Sequence, residues 1–148
     1  MTVAELCERH RCLALDANVL IYLFESVGHT AEVAGELVSA IEGGATSGVL
    51  ASVALTELIV GPVRAGDEAL AERYVDAVRS IGGLRIVSVG AEVAVEAGVL
   101  RGRHRLPLAD ALHLAAAREA GATAFITNDR RIPAIPRLEI LQLDDLVA

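Results

Sequence analysis

The chain of 148 residues has room for one well-buried core but not for two ordinary domains, so residues 1–148 read as a single domain. With 53% hydrophobic and 22% charged residues, disorder is excluded, and no apolar run approaches the roughly 20 residues of a membrane helix. The net charge of -7 counts against a nucleic-acid partner, but all 13 basic residues are Arg, and Arg101, Arg103 and Arg105 fall close together.

The opening segment, MTVAELCERHR, carries Glu5, Glu8 and Arg9 and no uninterrupted apolar stretch, which argues against a secretory signal and for a cytoplasmic protein. Cys7 and Cys12 are the only cysteines, and no histidine cluster accompanies them, so a zinc site is not expected. Cys12 reads as a small buried hydrophobe at the start of a strand. Leu13, Ala14 and Leu15 form that strand, and Asp16 falls at its carboxyl end. In an open parallel sheet that end faces the ligand crevice. Asn18 is placed to cap a helix carrying Val19, Leu20, Tyr22, Leu23 and Phe24. Taken alone, Asp16 and Asn18 read equally well as turn and cap residues.

After a turn at Ser26 to His29, Thr30 is placed to cap a helix running to Glu42 and ending at Gly43-Gly44. Val49 to Ala51 make a second strand. Ser52 caps a helix from Val53 to Val60, which is expected to stop at Gly61-Pro62. Glu57 lies beside its apolar face. A solvated position is the ordinary reading for a lone Glu; proximity to other acids would reverse it. Asp67 to Ser80 is a helix with a charged outer face, and Leu84 to Val89 a third strand.

The next helix, Ala91 to about Arg103, brings Arg101, Arg103 and Arg105 to its carboxyl end, where the helix dipole and a grip on phosphate explain them equally. Pro107 opens another helix, with Asp110 in its first turn. ADALHLAAA is dense in small apolar residues, as in a helix packed closely on a sheet, which puts Asp110 at the edge of a buried face. His113 shares that edge by spacing and reads as a supporting or surface residue. Gly121 ends this helix, Ala124 to Thr127 form a fourth strand, and Asp129 follows in ITNDRR, repeating the placement of Asp16. Leu138 to Leu143 read as a closing edge strand, with Asp144 and Asp145 as solvated tail residues. The alternation of strands and helices predicts an α/β fold: a three-layer α/β/α sandwich around a mainly parallel sheet of four to five short strands.

If the first and fourth strands are neighbours, Asp16 and Asp129 project into one crevice, joined by Glu57 and Asp110 from helices. Two carboxylates 4 Å apart repel by about 4 kcal/mol at an effective dielectric of 20, so such a group calls for a cation. Oxygen ligands without Cys or a His cluster suit Mg²⁺ or Mn²⁺, which activate water for attack on phosphorus. The reaction class is metal-assisted phosphodiester hydrolysis.

In that order and at those separations, LALDANVLIYLF, SVALTELIVG, LPLADALHLAAA and FITNDRR resemble the four acidic motifs of PIN-domain nucleases, particularly the VapC toxins of bacterial toxin-antitoxin pairs. The resemblance runs through nearly the whole chain. It implies a Mg²⁺- or Mn²⁺-dependent endoribonuclease acting on RNA, a homodimer, and inhibition by a cognate VapB-like antitoxin. It places Asp16, Glu57, Asp110 and Asp129 in the acidic, metal-binding site and Asn18 and Thr127 beside it. Arg101, Arg103, Arg105 and Arg130 are the candidate substrate contacts. A receiver-like, Mg²⁺-binding signalling domain is the alternative, but it needs a Lys near the last strands and the chain has none. A phosphatase with an aspartyl nucleophile needs a second Asp where Asn18 stands. A non-catalytic α/β binding domain leaves four acids at crevice positions unexplained.

Overall fold

A computed structural model describes residues 1–148. Five strands form one fully parallel sheet: β1 (Cys12–Leu15), β2 (Ser47–Ala51), β3 (Leu84–Val87), β4 (Ala124–Thr127) and β5 (Glu139–Gln142), in the order β3-β2-β1-β4-β5. β1 is therefore central, paired with β2 on one side and β4 on the other. Seven helices cover the sheet: α1 (Val3–Arg9), α2 (Ala17–Glu25), α3 (His29–Glu42), α4 (Val53–Arg64), α5 (Glu68–Arg79), α6 (Ala91–His104) and α7 (Leu108–Glu119). None is long and apolar enough to cross a membrane.

Three layers follow from side-chain alternation along the strands. Leu13, Leu15, Leu50 and Ile126 point to one face, where they pack with residues of α1 to α5 such as Leu6, Leu20, Leu37, Leu58 and Val78. Ala14, Val49, Ala51 and Phe125 point to the other, against α6 and α7 through Val93, Leu100, Leu114 and Ala117. Phe125 is the largest fully buried side chain in an otherwise mostly aliphatic core. Gly48 in β2 has no room for a side chain, since an added Cβ would stand 2.9 Å from both Ile41 and Leu84.

The strands and helix order match the expectation, with local differences. The opening segment folds as α1, held by a capping box between Thr2 and Glu5. Asn18 is not the cap of α2, because Asp16 takes that position without a side-chain cap bond, leaving both side chains for other partners. Gly28, not Thr30, precedes α3. The helix expected to stop at Gly61-Pro62 continues to Arg64, with Pro62 buried in its last turn. Ser52 precedes α4 as expected, but its hydroxyl accepts the backbone N–H of Val89 at 3.2 Å and not one from its own helix. Cys12 is only half-buried; Cys7 is the buried cysteine.

Candidate active site

Every group of the candidate site sits at the carboxyl end of β1 or β4 or on a helix flanking it. Asp16 ends β1 and is buried, and its backbone N–H donates to Ile126 across to β4 at 2.9 Å. Thr127, the last residue of β4, is fully buried, and its hydroxyl donates to Asp16 Oδ2 at 2.7 Å. The same hydroxyl accepts the backbone N–H of Asp129 at 3.0 Å. Asn18 completes the knot: its Nδ2 lies 3.3 Å from both Asp16 Oδ2 and Thr127 Oγ1. The two strand-end acids are thus coupled through one threonine, as their parallel pairing requires.

Glu57 arrives from the second turn of α4, half-buried, and its Oε1 meets His113 Nε2 of α7 at 2.5 Å. His113 also stands 3.8 Å from Asp16 Oδ1. It is buried and is not a surface residue, so the structure brings into the centre of the site a group that its spacing from Asp110 left at the edge. Spacing alone carries no signal of this, because the partner lies 56 positions away on another helix. One ligand atom from each of Asp16, Glu57 and His113 falls within 4.8 Å of the other two.

The charges in this cluster are not balanced. Burial pushes the Asp16 carboxyl above the ordinary range, against the pull of His113 and Thr127. Burial also raises Asp110, half-buried in the first turn of α7, and the negative charges of Asp16 and Asp129 raise it further. Burial opposes charging of His113, yet its bond to Glu57 and the charges of Asp16, Glu57 and Asp110 leave its ring more basic than usual. A single imidazole thus faces three carboxylates. Two buried atoms here, Asn18 Oδ1 and His113 Nδ1, have no hydrogen-bond partner. Oxygen-rich ligands, one imidazole and an excess of negative charge fit a divalent cation.

Asp129 stands at the same end of the sheet but in a different state. Its carboxylate accepts Arg131 Nε and Nη2, each at 2.9 Å, and that contact pulls its acidity below the ordinary range. Arg130 turns the other way, onto Asp145 at 2.9 Å. Asp144 accepts the Thr30 hydroxyl at 2.7 Å, and its backbone N–H donates to Asn128 at 3.0 Å, so these two acids are tied into the rim and are not a free tail. Arg101, Arg103 and Arg105 are exposed at the end of α6, separated from Asp110 only by the short connection into α7.

A family model of the PIN domain matches residues 13–138. The chain belongs to the PIN-domain family. No curated protein matches its sequence. Among solved structures, this PIN domain is similar to a chain of VapBC2 from Rickettsia felis bound to a promoter DNA fragment, with a TM-score of 0.71 at 18% identity, covering 88% of this chain and 98% of that one. A toxin-antitoxin complex from Klebsiella pneumoniae matches with a TM-score of 0.65 at 23% identity, over 85% of this chain and 94% of the other. VapC20 of Mycobacterium tuberculosis, a toxin that cleaves the sarcin-ricin loop, matches with a TM-score of 0.61 at 16% identity, over 76% of this chain and 86% of that one. At these identities the likeness establishes a shared fold.

Proposed function

We propose that this PIN domain is a Mg²⁺- or Mn²⁺-dependent endoribonuclease and the toxin of a VapBC-type pair. One observation carries the reading: Asp16, Glu57 and His113 converge within 4.8 Å at the carboxyl end of a parallel sheet with no Arg or Lys among them, and the charges of Asp16 and Glu57 act on Asp110. The family membership and the likeness to toxins in antitoxin complexes support it.

In this reading Asp16, Glu57 and Asp110, from the first turn of α7, would hold the ion, and Asp129 would join them from the rim of the crevice. When bound, the ion activates water for in-line attack on the phosphodiester and offsets charge developing on the phosphate oxygens. Thr127 and Asn18 fix the Asp16 carboxylate by hydrogen bonds to one of its oxygens, leaving Oδ1 turned toward His113. His113 holds Glu57 across the gap between α4 and α7, which limits the rotamers of a side chain that is otherwise half-exposed. The partners proposed are RNA, a second copy of the chain and a cognate VapB-like antitoxin. A dimer brings the arginines of two α6 ends to one groove, which eases the conflict between an acidic protein and a polyanionic substrate.

The test is cleavage of a pool of cellular RNAs by protein freed of any co-purified partner, with Mg²⁺ or Mn²⁺, with EDTA, and with Asp16→Ala. Cutting that needs the metal and disappears in the variant is the expected result. Equal behaviour of wild type and variant across both metals and several RNA classes overturns the proposal.

A further inference from the structure

We propose that Arg131 is a phosphate contact of this cleft and that Asp129 is the residue that positions it. The inference rests on the nuclease reading and gives its site the guanidinium donors that the acidic cluster lacks. Arg131 is held three times by one carboxylate: Nε and the backbone N–H donate to Asp129 Oδ1 at 2.9 and 3.0 Å, and Nη2 donates to Oδ2 at 2.9 Å. This uses one edge of the guanidinium. The remaining hydrogens of Nη1 and Nη2 have no protein partner, and the side chain is 88% exposed.

The hold is continuous with the buried site. Thr127 donates to Asp16 and accepts from the Asp129 backbone, so a chain of hydrogen bonds leads from the most buried carboxylate to the exposed guanidinium. That chain keeps the guanidinium at the carboxyl end of β4, the end of the sheet at which Asp16 is buried. An exposed ion pair between near neighbours contributes little to stability, so its consequence lies in where it keeps the guanidinium. A phosphodiester approaching three carboxylates needs a compensating cation, and a guanidinium already fixed in place loses less rotamer freedom on binding than a free one. Arg130, next in sequence, is committed to Asp145 and faces away.

The experiment measures affinity of a labelled single-stranded RNA by fluorescence anisotropy, with Ca²⁺ in place of Mg²⁺, over a range of salt. Arg131→Ala is expected to weaken RNA binding by about tenfold and to reduce the slope of log K against log salt by about 0.7, the value of one lost phosphate contact on a single strand. Arg130→Ala is expected to do less. Arg79→Ala, at the end of α5 on the opposite edge of the sheet, serves as the charge-matched control. Asp129→Asn is expected to weaken RNA binding as well, by less than Arg131→Ala, although it removes a negative charge from the rim.

RNA affinity and salt slope unchanged in Arg131→Ala overturn the proposal. Tighter RNA binding in Asp129→Asn also overturns it, because the carboxylate then only masks the guanidinium and does not position it. If wild type cuts RNA and Arg131→Ala binds and cuts equally, only the clamp fails; if wild type neither binds nor cuts any RNA, the nuclease reading fails with it.

Discussion

Two groups of acids share the carboxyl end of this sheet, and they are built on opposite principles. The outer group, Asp129, Asp144 and Asp145, is answered residue by residue: Arg131 on Asp129, Thr30 on Asp144, Arg130 on Asp145. The inner group, Asp16, Glu57 and Asp110, has one imidazole and no arginine. Asp129 and Asp144 are accordingly more acidic than usual, whereas Asp16 and Asp110 are less so. Sequence treats all six alike, as aspartates and a glutamate near strand or helix ends. The structure divides them into acids whose charge is satisfied by the protein and acids whose charge is left for something else.

The largest effect expected from this division is on catalysis. Asp16→Asn keeps the acceptor for Thr127 while removing the buried charge, so the fold should survive and cleavage should fall by about a thousandfold, the scale of losing several kcal/mol of transition-state stabilisation. Single-turnover RNA cleavage measures it. Activity within tenfold of wild type would mean that the inner group is not the reaction centre.

Metal binding separates the two groups next. At a free Mn²⁺ concentration one hundred times Kd, wild type should gain about 2.7 kcal/mol, or about 5–10 °C in Tm for a domain of this size. Asp16→Asn and Glu57→Gln should lose most of that shift, and Asp145→Asn should retain it. Thermal melts with and without Mn²⁺ decide this. A shift that survives in Glu57→Gln removes Glu57 from the ligand set.

The pH dependence of the metal-free protein divides them a third way, and the signs are opposite. Asp16 and Asp110 have folded pKa values above their unfolded ones, so their contribution to stability is fully present below about pH 3.8 and is lost as pH rises through the raised values. His113, also raised, adds in the same sense: its contribution is present below about pH 6.5 and lost as pH climbs through its folded value. Asp129 and Asp144 are lowered, so their contribution is present above about pH 3.8 and disappears as pH falls through the depressed values. Melts between pH 4 and 8 should therefore show the metal-free protein losing stability toward the alkaline side. Asp110→Asn should flatten that decline, and an unchanged profile would mean that Asp110 carries no excess charge.

How much of this was legible beforehand depends on whether the signal is local. Strand-end acids are written locally: LALD and FITND each put an aspartate directly after a short apolar run, and parallel pairing of β1 with β4 does the rest. Glu57 and Asp110 were recognisable through motif order, because a single acid on an amphipathic helix has an ordinary solvated reading. His113 was not, since its burial is decided by Glu57 on another helix and by Phe125 beneath it, whose ring centre lies 6.0 Å away. The pairing of Arg131 rather than Arg130 with Asp129 was equally hidden. It depends on how the chain turns after Asp129, where the backbone N–H of Arg131 bonds back to the carboxylate. The two arginines thereby point to different acids.

The smallest effects belong to the outer group's stability, and they test whether it is as fully satisfied as the geometry indicates. Arg130→Ala breaks an exposed ion pair, so it should cost at most about 1 kcal/mol, less at high salt. Thr30→Val removes the hydroxyl that ties the start of α3 to Asp144 and should cost about 0.5–1.5 kcal/mol. The penalty is modest because Asp144 is exposed and water replaces the lost donor. Urea denaturation of the metal-free variants at pH 7 reads both. The informative comparison is with Thr127→Val, whose hydroxyl serves Asp16 in the buried group. There no water stands ready, and the carboxylate loses its shortest hydrogen bond. Thr127→Val should therefore destabilise more than Thr30→Val. A cost for Thr30→Val equal to or above that of Thr127→Val would show that the outer acids carry an unmet charge of their own, and the division between the two groups would not stand.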